Sequence, residues 1–166
     1  MPRHETTRAA LGSAAFFALA PGVMAGAIPL ALTGWHVRAD WGWARVAGAV
    51  LTVGGAVVLV QAFARFVREG RGTPAPVAPT AHLVVGGLYR HVRNPMYEAV
   101  AATIVGQALI LGRPGLLLYA ALFAATVATF VLGYEEPTLV EQFGAEYEAY
   151  RRAVPRWLPR LRPWTG

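Results

Sequence analysis

Gly86-Gly87-Leu88-Tyr89-Arg90-His91-Val92-Arg93-Asn94-Pro95-Met96-Tyr97 is the stretch where a polar connection turns into an apolar helix. Pro95 has its φ preset for a first helical turn and needs no amide partner there, while the residue before a proline is pushed out of the α region. Asn94 is therefore read as the N-cap, where its side-chain oxygen can accept an orphan backbone N–H. Arg90, His91 and Arg93 crowd the positive end of that helix. Backbone N–H groups, the helix dipole and guanidinium forks could together hold an anion there. The competing reading is plainer: a well-capped, basic anchor at a membrane edge.

The rest of the chain supports a membrane setting. With 55% hydrophobic and only 14% charged residues in 166, the chain is too greasy for an ordinary soluble surface, and it is long enough for one domain. Apolar runs fall at about 9–34, 44–64, 95–112 and 114–134. The spacing predicts an all-α integral membrane fold: four transmembrane helices, then an amphipathic C-terminal helix, in a single membrane domain over 1–166. Every basic residue is Arg, so lysine Schiff-base and lysine-nucleophile chemistry is excluded. No Cys is present, which excludes disulfides, thiolate nucleophiles and thiolate metal sites, and no metal is expected. The net charge of +6 comes from arginines that flank apolar spans, so membrane lipids are the expected partner and nucleic acid is not.

Ala9 to Gly34 carries no charge and can span, with a kink expected at Pro21-Gly22. A secretory leader cleaved at Ala25-Gly26-Ala27 is the rival reading, but the apolar run continues through Leu32, which a leader would not need. Trp35, Trp41 and Trp43 suit an interfacial belt, and Gly54-Gly55 suits a close helix approach. Residues 65–94 read as the longest polar connection, extended around Pro74, Pro76 and Pro79. The third run is broken only by Glu98, a carboxylate in a first helical turn. Gly112-Arg113-Pro114-Gly115 closes runs three and four into a hairpin.

Arginines concentrate in the 65–94 connection and beyond Tyr134, which places both termini in the cytoplasm. Glu135-Glu136 ends the last span in this reading. Leu139, Val140, Phe143, Tyr147 and Tyr150 then recur with a helical period from Pro137 to Arg152. Residues 154–164 carry proline at every fourth position, and read as an interfacial strap of Trp and Arg.

Two blocks together resemble the isoprenylcysteine carboxyl methyltransferases and their phospholipid methyltransferase relatives. The first is Gly87 to Tyr97, matching Gly-x-Tyr-Arg-x-x-Arg-His/Asn-Pro-x-Tyr. The second runs from Glu135-Glu136 through Leu139, Phe143-Gly144 and Tyr147 to Tyr150, followed by Pro155-Arg156. The likeness covers about residues 65–162. Asn94 stands where many relatives have His, His91 where many have an aromatic, and Leu88 where Pro is common. An amide cannot titrate, so no imidazole role is open to position 94.

The resemblance implies S-adenosylmethionine as cofactor, held by a part spanning about 86–162 on the cytoplasmic side. It implies a binding set of Tyr89, Arg90, His91, Arg93, Asn94, Pro95, Tyr97, Glu135 and Glu136. Arg93, or else Arg90, would fork onto the carboxylate. Glu135 and Glu136 would take the ammonium or ribose hydroxyls, and Tyr89 or Tyr97 would face the sulfonium. Arg151 or Arg156 would orient the acceptor, a lipophilic substrate arriving from the bilayer. Carboxyl O-methylation of an isoprenylcysteine-like substrate is the leading expectation, since a carboxylate is already ionised and good bases are few. N-methylation of a phospholipid amine, methylation of a small lipophilic thiol, and a non-catalytic scaffold that binds anionic lipid are the alternatives.

Overall fold

A computed structural model describes residues 19–70 and 82–166, without the side chains of 66–70. Residues 9–18 of the earliest predicted span, the leading arginines, and the prolines at 74, 76 and 79 therefore lie outside the described residues. Among the described residues the fold is all-helical, with no strand. Five helices follow in order: α1 (Leu19–Thr33), α2 (Trp43–Gly70), α3 (Pro95–Leu111), α4 (Pro114–Phe143) and α5 (Ala145–Ala153). A 3-10 turn, Gly87–Arg90, leads into α3.

The α2 segment Trp43–Arg65 and the whole of α4 are long and apolar enough to cross a membrane, with mean hydropathy 2.1 and 2.2. Only 22% of each apolar window is buried. Val46, Val50, Val53, Val57 and Val60 on α2, and Leu118 and Leu122 on α4, turn outward instead. Apolar rows that face away from the protein suit a hydrocarbon solvent. The other two apolar helices, α1 and α3, are shorter.

The tightest packing in the fold is between α2 and α3, and small residues make it possible. A Cβ on Gly48 would lie 2.6 Å from the Gly106 carbonyl oxygen, and one on Gly55 would lie 2.5 Å from Thr103 Oγ1. Of the expected Gly54-Gly55 pair, only Gly55 belongs to this seam. Gly54 faces outward, and a Cβ there would meet nothing within 4 Å among the described residues. Gly55→Ala is expected to destabilise the fold by about 1–3 kcal/mol through overpacking. Gly54→Ala is expected to cost nothing, because it only removes backbone freedom from the unfolded chain. Thermal unfolding of both variants in detergent checks the contrast.

Two π-turns, Val23–Ala27 in α1 and Val131–Glu135 in α4, each end two residues before a proline, Pro29 and Pro137. Proline lacks the N–H for the carbonyl four residues back, and its ring crowds that carbonyl. A wider turn relieves both problems. In α1 the orphaned acceptor is the Ala25 carbonyl, and Gln107 Nε2 donates to it at 2.6 Å. Tyr119 also donates to the neighbouring Met24 carbonyl at 2.8 Å, so α3 and α4 both hold α1. The distortion expected at Pro21-Gly22 thus lies just beyond that pair, and Pro29 accounts for it.

Three boundaries differ from expectation. α2 continues to Gly70, so Arg65 and Arg68 sit on its last turns and not in a loop. Both are good helix formers, and no proline intervenes before Pro74. The last long helix does not stop at Glu135-Glu136, because the π-turn carries it past Pro137 to Phe143. The amphipathic helix expected from 137 to 152 is consequently split. Gly144, with φ 51° and ψ −124°, breaks it, and only Ala145–Ala153 forms a separate helix.

Candidate functional site

The polar stretch and the tail meet at one end of the bundle, zipped by backbone bonds. Arg93 N–H donates to the Pro155 carbonyl at 3.0 Å, Arg160 N–H to the His91 carbonyl at 3.0 Å, and Trp164 N–H to the Arg90 carbonyl at 3.0 Å. Side chains follow the same seam. Tyr150 Oη donates to the Tyr89 carbonyl at 2.7 Å. His91 Nδ1 lies 2.8 Å from the Arg160 carbonyl, which can only accept, so that ring nitrogen carries the proton. Arg90 Nε donates to the Trp164 carbonyl.

Pro95 opens α3 at its first turn, as its fixed φ requires. Asn94 occupies the cap position with φ −120°, yet its side chain caps nothing. Its Nδ2 donates instead to the Arg156 carbonyl at 3.2 Å. The expected N-cap bond is traded for a bond between the two blocks.

The charged centre is Glu136. Arg93 Nη1 stands 2.9 Å from its Oε1, with the two side chains 10% and 9% exposed. Arg156 forks onto the same carboxylate, Nε to Oε1 at 2.7 Å and Nη2 to Oε2 at 2.8 Å. Arg93 Nη1 also donates to Tyr147 Oη at 3.3 Å. Glu135, the adjacent acid, points elsewhere and accepts from Tyr97 Oη at 2.9 Å. Burial pushes the phenols of Tyr147 and Tyr150 above their usual range, so both remain hydroxyl donors at neutral pH. One donor is left over. Arg93 Nε is buried and has no acceptor among the described residues.

These groups line a cavity of about 70 Å³. Of the sequence candidates, Tyr89, Arg93, Asn94, Glu135 and Glu136 form its wall, and Tyr97 reaches it through Glu135. Arg90 and His91 do not line it, since their side chains are spent on the tail backbone. Pro95 is a buried helix start. Arg156 is taken up by Glu136, and Arg151 pairs with Glu148 at 2.8 Å on the exposed side of α5. Neither arginine lines the cavity. Tyr147, Tyr150, Leu83, Val84, Val131 and Leu139 complete the wall. The two tyrosines carry a legible signal in the second block, although periodicity alone assigns them to packing. Leu83 and Val84 carry none.

A sequence profile of the phospholipid methyltransferase family matches residues 43–146, more than half of the chain. The protein-S-isoprenylcysteine O-methyltransferase of Schizosaccharomyces pombe is 34% identical over 82 residues, which is 48% of this chain and 34% of that protein. The match thus spans about a third of the length of this relative. No solved structure matches.

Proposed function

The chain belongs to the phospholipid methyltransferase family. On that premise we propose that it transfers a methyl group from S-adenosylmethionine to a lipophilic acceptor in the membrane, by carboxyl O-methylation of an isoprenylcysteine-like substrate. The observation that supports this most is the convergence of Arg93, Glu135 and Glu136 around one cavity, with the buried Arg93 Nε lacking an acceptor among the described residues. The donor set fits the cofactor. Arg93 supplies a cation for its carboxylate, Glu135 an anion for its ammonium or ribose hydroxyls, and Tyr89 and Tyr147 supply aromatic faces. When bound, it supplies an electrophilic methyl on a sulfonium.

The chain's own residues then hold, orient and exclude water. Tyr97 fixes the Glu135 carboxylate by its hydrogen bond, and Arg156 holds Glu136 in a fork. α5 covers the site through Tyr147 and Tyr150. A cavity of about 70 Å³ is well below the roughly 300–1,000 Å³ of ligand clefts. Binding therefore moves this cover outward, and closure afterwards seals the site. A carboxylate acceptor would take that methyl without first losing a proton, so no residue of the chain would need to act as a base. Positioning and water exclusion carry the rate.

In the bilayer, α1 to α4 form four spans, with the site end and both termini at the cytoplasmic face. Arg90, Arg93 and the tail arginines lie at that end, against Arg38, Arg45 and Arg113 at the other.

Two measurements test the reading. Calorimetry of the detergent-solubilised protein with S-adenosylmethionine is expected to give saturable heat, which a lipid-binding scaffold would lack. Mass spectrometry with labelled donor then identifies the methylated lipid. Glu98 discriminates the acceptor class. It lies one helical turn beyond Asn94, and its Oε1 is buried without a partner among the described residues. Glu98→Gln is expected to leave turnover within a few-fold for a carboxylate acceptor. A loss of about 10²–10⁴ would instead mark the carboxylate as the base that deprotonates an amine.

A further inference from the structure

The tail beyond α5 is tied to wall residues without lining the cavity itself. We propose that residues 154–166 are a docking surface for an anionic phospholipid leaflet, and that docking holds the cavity wall in place. This rests on the membrane setting of the proposed function.

The surface is built from exposed apolar and cationic side chains on a backbone of fixed shape. Leu158 is 80% exposed and Leu161 is 98% exposed. No acidic residue follows Glu148, while Arg151, Arg152, Arg156, Arg160 and Arg162 all do. Arg151 and Arg156 are consumed by Glu148 and Glu136, and Arg160 Nη1 donates to the Ala153 carbonyl at 2.7 Å. Arg152 and Arg162 are exposed and make no ion pair among the described residues. The segment is nonetheless pinned. Its backbone is bonded to Arg90 and His91, and the Trp164 ring packs on Tyr150 with centroids 5.4 Å apart.

Place and charge select the occupant. Arg90 and His91 lie just ahead of Pro95, where the apolar α3 begins, so the strap sits beside a helix end that meets the bilayer. Exposed leucines between unpaired arginines suit acyl chains below and anionic headgroups above. A pre-ordered segment loses little entropy on docking.

The coupling follows from shared atoms. Pro155 and Arg156 belong to this segment, and their carbonyls accept from Arg93 N–H and Asn94 Nδ2, while the Arg156 guanidinium holds Glu136. A strap seated on the leaflet keeps three wall residues in register.

The test uses the full chain in nanodiscs of phosphatidylcholine alone, or of phosphatidylcholine with phosphatidylglycerol. Trypsin cleavage of the Arg160–Leu161 bond reports docking, and calorimetry on the same discs reports cofactor affinity. Phosphatidylglycerol is expected to slow cleavage about tenfold or more and to tighten S-adenosylmethionine binding. The Leu158→Ser/Leu161→Ser and Arg152→Gln/Arg162→Gln variants are expected to lose both effects. Equal cleavage in the two lipids, or full protection in the variants, overturns the proposal. Protection in every lipid that grows with protein-to-lipid ratio overturns it too, by assigning the patch to a second copy of the chain. Lipid-dependent protection without any cofactor heat would leave the dock standing and remove the methyltransferase reading.

Discussion

Arg93→Ala is expected to weaken S-adenosylmethionine binding by about 30-fold or more while the protein stays folded. The arginine ties the first block to the second: its Nη1 contacts Glu136 and Tyr147, and its buried Nε has no acceptor among the described residues. An unmet, buried guanidinium donor favours an acceptor, and an anionic one most. Truncating one side of a buried, hydrogen-bonded charge pair typically costs about 2–5 kcal/mol, so the dissociation constant should rise by about 30-fold to about 5,000-fold. The fold survives because the backbone bond from residue 93 to Pro155 needs no side chain, and because Arg156 still neutralises Glu136. Arg93→Lys should recover part of the affinity, since it restores the charge without the planar fork. Calorimetry in detergent measures the affinities, and thermal unfolding checks the fold. Wild-type affinity in the alanine variant removes Arg93 from the site.

How much of this could be read from the chain depends on the distance over which each feature is determined. Pro95 and the apolar run behind it act locally, so the start of α3 was legible in the residues themselves. The π-turns are local too, but their cause lies downstream, in Pro29 and Pro137. A reading that takes Glu135-Glu136 as the end of a span misses the continuation to Phe143 for that reason. Asn94 shows the limit differently. Its cap propensity is real, but the Arg156 carbonyl, 62 residues away, competes for the side chain and wins. Arg90 and His91 resemble ligand-binding groups until the tail backbone is placed against them. The likeness of both blocks to known enzymes implied that Arg93 and the 135–136 acids converge on one ligand, but not that Arg93 pairs directly with one of the acids. Nothing in the periodicity says which of the two adjacent acids it meets.

That last ambiguity leads to the second large effect, because neighbouring carboxylates are expected to fail in opposite ways. Glu136→Gln should loosen the tail, and Glu135→Gln should not. Glu136 is the only anion that contacts both Arg93 and Arg156 among the described residues, and it is almost fully shielded from water. Removing its charge leaves two guanidiniums facing a neutral amide, and breaking a buried ion pair from one side costs about 3–5 kcal/mol. The Arg156 fork ties α4 to the segment that supplies the carbonyls for Arg93 and Asn94, so the strap should come free as the pair is lost. The readouts are a lower unfolding temperature and faster trypsin cleavage beyond Arg152. Glu135 has a different partner, the neutral Tyr97 hydroxyl, and a glutamine oxygen can still accept that bond. Its substitution should therefore cost less than about 1 kcal/mol of stability, yet weaken cofactor binding by removing a wall carboxylate that no arginine among the described residues pairs with. If the two variants lose stability and affinity in equal measure, the division of labour between a structural and a ligand-facing acid is wrong.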